Sequence, residues 1–303
     1  MALLDLVDTT GFRVSFVAGI GGALLIAIIA VSRRPPIIVP VAAAASVVAA
    51  VVAIKWTDAA SPGGDPGALL TGLVGLGAAG FMMRLAGTKR ILGLVAAIPG
   101  ALLIAQATNR LDESWIPVFA VLGAVLAAGV IGDFDHTYWR TGLGPVLLAV
   151  TALGVYACVP DTEQARTLVG ATIPFVLLGW PRPLASLGGS GAFAFGGLLA
   201  WTAAVGGHGR PGSVVGAMGC LGVILVEPVA RRVVHVRALP QARRPWAPDA
   251  YRLAVLHVVL VAISSRVAGL RQSAILAFGI LAAALLASGV LIATHLQRTR
   301  LHG

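Results

Sequence analysis

The chain has 303 residues, 58% of them hydrophobic and only 11% charged, with a mean hydropathy of +0.92. Soluble domains carry about 25% charged residues, and a chain this apolar would expose large greasy patches to water, so lipid is its solvent. The net charge of +10 would suggest nucleic acid in a soluble protein; in a membrane protein it follows from basic residues gathering beside anionic headgroups on the cytoplasmic face, and no nucleic-acid partner is expected.

A spanning helix needs about 20 mostly apolar residues. Apolar runs of this kind lie near 14–32, 37–54, 67–85, 91–107, 116–132, 142–159, 167–181, 184–205, 212–230, 253–270 and 272–294. The first, with Asp5 and Asp8 before it and no clean cleavage site after it, is expected to be a retained helix and not a secretory signal. Short breakers separate the runs, among them Ser32 to Pro36, Ser61 to Pro66, Pro181-Arg182-Pro183 and Gly206 to Arg210, and such clusters mark turns. The expected fold is therefore all-α: a polytopic integral membrane helical bundle of about eleven transmembrane helices. It forms one transmembrane domain over 1–303, with a single longer connection at 231–252.

Basic residues set the orientation. With the N-terminus outside, fifteen of the 22 Lys and Arg residues fall on the inner side and seven outside, while eight of the twelve acidic residues fall outside. The C-terminus is then cytoplasmic. The 167–181 run is short and holds Pro174, but without it the basic 231–252 loop would lie on the wrong face. Trp56, Trp115, Trp139, Trp180, Trp201 and Trp246 all fall at run ends or in loops, as an interfacial aromatic belt would. Twenty of the basic residues are arginine and the chain is rich in Ala, Gly and Val. This is the composition of a GC-rich bacterial genome, so the expected location is the bacterial cytoplasmic (inner) membrane.

Gly75-Leu76-Gly77-Ala78-Ala79-Gly80 matches GxGxxG. The dinucleotide fingerprint requires a preceding strand, whereas this copy lies inside an apolar helix, where small residues let backbones approach closely. Gly212, Gly216, Gly219 and Gly222 form a second packing stripe. Cys158 and Cys220, the only cysteines, have no metal or disulfide spacing and are expected to be small packing residues.

The most chemical stretch is Gly132 to Arg140, at the cytoplasmic end of the fifth run. Asp133, Asp135 and His136 are residue types that hold a divalent cation on a phosphate, and Arg140 would contact the same phosphate; otherwise the acids pair with nearby arginines. Glu227 and His257 are the embedded ionisable groups and the candidates for a substrate or proton pathway. The simpler expectations are an i,i+4 pair of Glu227 with Arg231 and a neutral His257 bonded to a neighbouring helix. Arg231, Arg232, Arg237, Arg243 and Arg244 are expected to contact anionic lipid headgroups, with a membrane or cytoplasmic protein partner as the other occupant of that loop.

Short loops leave no room for a soluble catalytic domain. The leading expectation is a multi-pass transporter, flippase-like protein or membrane subunit handling a neutral or lipid-like envelope substrate, without a cofactor. No carboxylate falls near the middle of a run, which argues against ion coupling. The first alternative is a membrane-embedded enzyme of envelope lipid or polysaccharide synthesis using Asp133, Asp135 and His136 with Mg2+. The second is a non-catalytic scaffold for an assembly complex.

Overall fold

The computed structural model describes residues 9–31, 44–45, 47–48, 65–85, 90–108, 115–138, 141–159, 162–180, 184–234, 248–270 and 273–301. Among these there is no strand. In chain order the helices are α1 (Thr10–Val31), α2 (Pro66–Leu85), α3 (Arg90–Gln106), α4 (Trp115–Tyr138), α5 (Leu143–Cys158), α6 (Glu163–Thr172), α7 (Val176–Gly179), α8 (Gly188–Gly206), α9 (Pro211–Gly219), α10 (Gly222–Val233), α11 (Pro248–Ala268) and α12 (Ala274–Leu301). The expected 37–54 span lies outside the described residues apart from 44–45 and 47–48. Only the two ends of the 231–252 connection are described.

Five helices, α1, α4, α8, α11 and α12, are long and apolar enough to cross a membrane, and α9 with α10 makes a sixth if the bent pair is one span. Stretches within α2, α3 and α5 are shorter apolar helices. The result is a helical bundle of membrane-protein character. Its outward surface is greasy: on α12, Ile275, Phe278, Leu286 and Leu291 are all exposed, as lipid-facing residues would be.

The helices alternate in direction. Gly80 of α2 meets the Gly189 backbone of α8, while Gly197 of α8 meets Leu73 and Leu76 further back on α2, so the two run antiparallel. Gly123 faces Ala200 and Gly132 faces Phe193, which makes α4 and α8 antiparallel as well. Thr151 meets His257, and Cys158 meets Ser264; α5 and α11 therefore run parallel. The 167–181 run crosses from end to end as α6, a 3-10 turn at Ile173–Phe175 and α7. Thr162, just before α6, lies against Gly206 at one end, and Gly179 lies against Gly142 at the other. Pro174 cannot donate a backbone hydrogen bond, and it sits in the 3-10 turn that divides this segment.

α8 is the central helix, buried along nearly its whole length. Its sequence, GGSGAFAFGGLLAWTAAVG, explains why: glycines and alanines let α2 and α4 approach its backbone, and Phe193 and Phe195 fill the space beside them. Trp201 departs from the expected belt. It is 6% exposed, packed inside the bundle, whereas Trp180 is exposed; Trp56, Trp139 and Trp246 lie outside the described residues.

Two further departures shape the site. α4 runs to Tyr138, so the Gly132 to Tyr138 stretch is helix and not loop. The apolar run at 212–230 is two helices, bent by 59° at Cys220–Leu221.

Candidate functional site: a buried charge cluster beside a broken helix

The break in α9–α10 begins with local geometry. Gly222, the first residue of α10, has φ +43, a conformation L side chains rarely adopt. A Cβ there would lie 3.1 Å from His257 Nδ1 and 3.2 Å from Leu260 Cβ. Interrupting a helix releases backbone groups that must find partners in a dry interior. Neighbouring helices supply them. Val223 N donates to His257 Nδ1 (3.3 Å), and Thr151 Oγ1 lies 3.1 Å from the Cys220 carbonyl oxygen. Because His257 accepts at Nδ1, its ring proton sits on Nε2, which is 3.1 Å from both Leu147 O and Thr151 Oγ1. His257 is thus the neutral histidine bonded to a neighbouring helix that the sequence suggested, and it also holds the break. His257→Ala strands the Val223 N–H and is expected to cost about 1–3 kcal/mol of stability. A lower thermal midpoint in detergent checks this, and an unchanged midpoint would remove His257 from that role.

Cys158 and Cys220 are both free and buried, with sulfurs 3.7 Å apart at the break. Ser264 lies beside them: its carbonyl accepts from Cys158 Sγ (3.8 Å), and its own hydroxyl is buried and makes no hydrogen bond among the described residues.

One turn and a half beyond the break, α10 carries Glu227 and Arg231. The expected i,i+4 pair is present: Arg231 Nε donates to Glu227 Oε1 at 2.9 Å. The guanidinium also reaches α4, where Nη2 donates to Asp133 Oδ2 at 2.8 Å. Tyr138 OH donates to Glu227 Oε1 at 2.5 Å, and its ring packs on Phe134 with centroids 4.7 Å apart. Side-chain exposures are 0% for Glu227, 4% for Asp133 and 8% for Arg231. Arg231 is therefore not a headgroup contact; two carboxylates draw it inside the protein. Arg232, the next residue, is exposed and remains available to headgroups.

Asp135 turns elsewhere. Successive helical residues are about 100° apart, so Asp133 and Asp135 cannot face the same neighbour. Asp135 Oδ2 accepts from Gly188 N (3.0 Å) at the start of α8, where Gly188 has φ +67. His136 is exposed. The Asp133, Asp135 and His136 set singled out from sequence is thus spread over three directions, and Arg140 lies outside the described residues, as do Arg237, Arg243 and Arg244. Among the described residues, no group of three or more His, Cys, Asp or Glu converges as metal ligands would.

Sequence reasoning did not single out Tyr138 or Asp249. Asp249, buried at the start of α11, accepts from Arg252 Nη1 (3.3 Å) and is joined to His295 Nε2 of α12 (3.0 Å). Tyr138 follows Asp135 by nearly one turn, and that adjacency was its only signal; Asp249 had only the local i,i+3 spacing to Arg252, while His295 is 46 residues away.

The last turns of α4, α10 and α12 and the first turns of α8 and α11 thus meet at one end of the bundle, around the buried acidic and basic side chains of Asp133, Asp135, Glu227, Arg231 and Asp249, with the Tyr138 hydroxyl among them. No protein-family model matches this sequence, and no curated protein aligns with it significantly.

Proposed function

We propose that this chain is a multi-pass transporter or flippase-like permease for a neutral or lipid-like envelope substrate. It would work in the bacterial cytoplasmic membrane with its charged end toward the cytoplasm. The observation that carries this reading is the break between α9 and α10, with its freed backbone groups bound by Thr151 and His257. Discontinuous helices inside a bundle are the usual material of a substrate pathway, because an interrupted helix offers backbone polarity at membrane depth and a place to bend. The glycine-lined contact of α2 and α8 fits the same reading, since small residues are what lets transmembrane helices approach closely. The inward orientation rests on the excess of basic residues on the side that holds Arg231, Arg232 and Arg252. The metal-dependent enzyme draws less support, because Asp133, Asp135 and His136 diverge.

The test is flux into vesicles carrying the purified full-length chain. Two probes are used: a fluorescent phospholipid whose leaflet is read by quenching, and an uncharged sugar read by vesicle swelling. At least one is expected to cross faster than in protein-free vesicles, and His257→Ala should slow it. If neither moves faster than in protein-free vesicles, the proposal fails.

A further inference from the structure

We propose that Glu227 is a proton-binding site, loaded and unloaded at its Oε2 atom. The geometry of the cluster is asymmetric. Oε1 of Glu227 accepts both the Tyr138 hydroxyl and Arg231 Nε. Oε2 of the same carboxyl, on a side chain of 0% exposure, makes no hydrogen bond among the described residues. A bare carboxylate oxygen in a dry interior is costly, whereas a proton on that oxygen removes the charge and leaves both Oε1 bonds in place.

The ligand is a proton and not a metal cation because of oxygen count. Hard cations collect about six oxygens, and Glu227 offers one unbonded oxygen. The charged and titratable groups around it are few. Arg231 comes from α10 itself, Asp133 and Tyr138 from α4, and Asp249 from α11, backed by His295 of α12.

Arg231 makes the loading consequential. It bridges α10 to α4 by holding Glu227 and Asp133 at once. With Glu227 ionised, the guanidinium is shared between two carboxylates. With Glu227 neutral, Arg231 turns its charge to Asp133, and the charge-assisted bond to Oε1 weakens to an ordinary one. The proton therefore sets how tightly α10, the second half of the broken helix, is held to α4. As a coupling device the inference rests on the transport reading, but its test reads proton binding and not flux. Flux without a titrating Glu227 overturns only this proposal, and a titrating Glu227 without flux overturns only the other.

The experiment is infrared difference spectroscopy on the full-length protein in lipid, stepping between about pH 8 and about pH 5, the range in which a buried switch would act. The carbonyl stretch of a protonated, buried carboxyl should appear at the lower pH in the wild type. It should also appear in Glu163→Gln, whose side chain lies at the opposite end of the bundle. It should be lost in Glu227→Gln. Should that variant misfold, Tyr138→Phe gives an independent reading: the band must shift, because a hydrogen bond to that carboxyl is gone. Exchanging potassium for sodium at fixed pH should leave the band alone. No band, a band that neither substitution alters, or a band abolished by sodium would each overturn the proposal.

Discussion

Arg231→Met is expected to destabilise the protein by about 3–5 kcal/mol, the cost of stripping the partner from buried charges. Arg231 is 8% exposed and joins carboxylates on two helices. Its removal leaves Glu227 and Asp133 to face each other across α10 and α4 without the cation that separates them. The loss is electrostatic and not steric, since methionine roughly fills the volume. Two companion variants establish this. Arg231→Lys should recover only part of the loss, because an ammonium cannot present the two separate N–H groups that reach Glu227 and Asp133. Arg231→Met combined with Glu227→Gln should be more stable than Arg231→Met alone, because one of the stranded charges is gone. Thermal midpoints of the monodisperse fraction in detergent, followed by size exclusion, give the ranking. A single variant as stable as the wild type would mean that the bridge between α4 and α10 carries no weight.

That bridge also shows where sequence reading stopped. The ends of three helices were legible because apolar runs end at Pro, Gly and charged punctuation: 67–85, 91–107 and 142–159 lie within about two residues of α2, α3 and α5, whereas 116–132 stops well short of the end of α4. The short segment through Pro174, kept on the basic bias, reaches from one end of the bundle to the other. The break at Cys220–Leu221 was not legible. No proline marks it, the run is apolar throughout, and a glycine at 222 reads as one more member of a packing stripe until its positive φ is seen. The charge cluster was half legible. Glu227 with Arg231 is a local i,i+4 pattern, but Asp133 lies 98 residues from Arg231 and Tyr138 lies 89 from Glu227, and no period or motif encodes such distances. Counting membrane depth from the ends of apolar runs placed Asp133 and Asp135 outside the bundle. The helix instead continues through them, since pairing with Arg231 and with Gly188 N makes their burial tolerable. The expectation that no carboxylate lies near the middle of a run is left as it was, because the buried cluster sits at one end of the bundle; what changes is that these end residues are inside the protein.

The glycine surfaces lead to the second large effect. Gly80→Val is expected to lower stability by about 3 kcal/mol or more, at or beyond the upper end of overpacking costs. A Cβ at Gly80 meets backbone atoms of Gly189 and, at 2.9 Å, Ser190 N. Backbone cannot swing aside as a side chain can, so α2 and α8 would have to separate. α8 is the central helix, and its contacts with α4 depend on the same closeness: a Cβ at Gly196 would lie 2.7 Å from Ala128 Cα. Gly21 of α1 and Gly279 of α12 provide the contrast, because nothing lies within 4 Å of a Cβ at either. Gly21→Val and Gly279→Ala should therefore leave the thermal midpoint nearly unchanged, or raise it slightly where alanine relieves the helix of glycine's flexibility. Equal effects at Gly80 and Gly21 would show that the GxGxxG stretch is only apolar helix. A large difference would establish Gly80 as the point where the α2 backbone meets that of α8, the central helix whose first residue also binds Asp135 of the charge cluster.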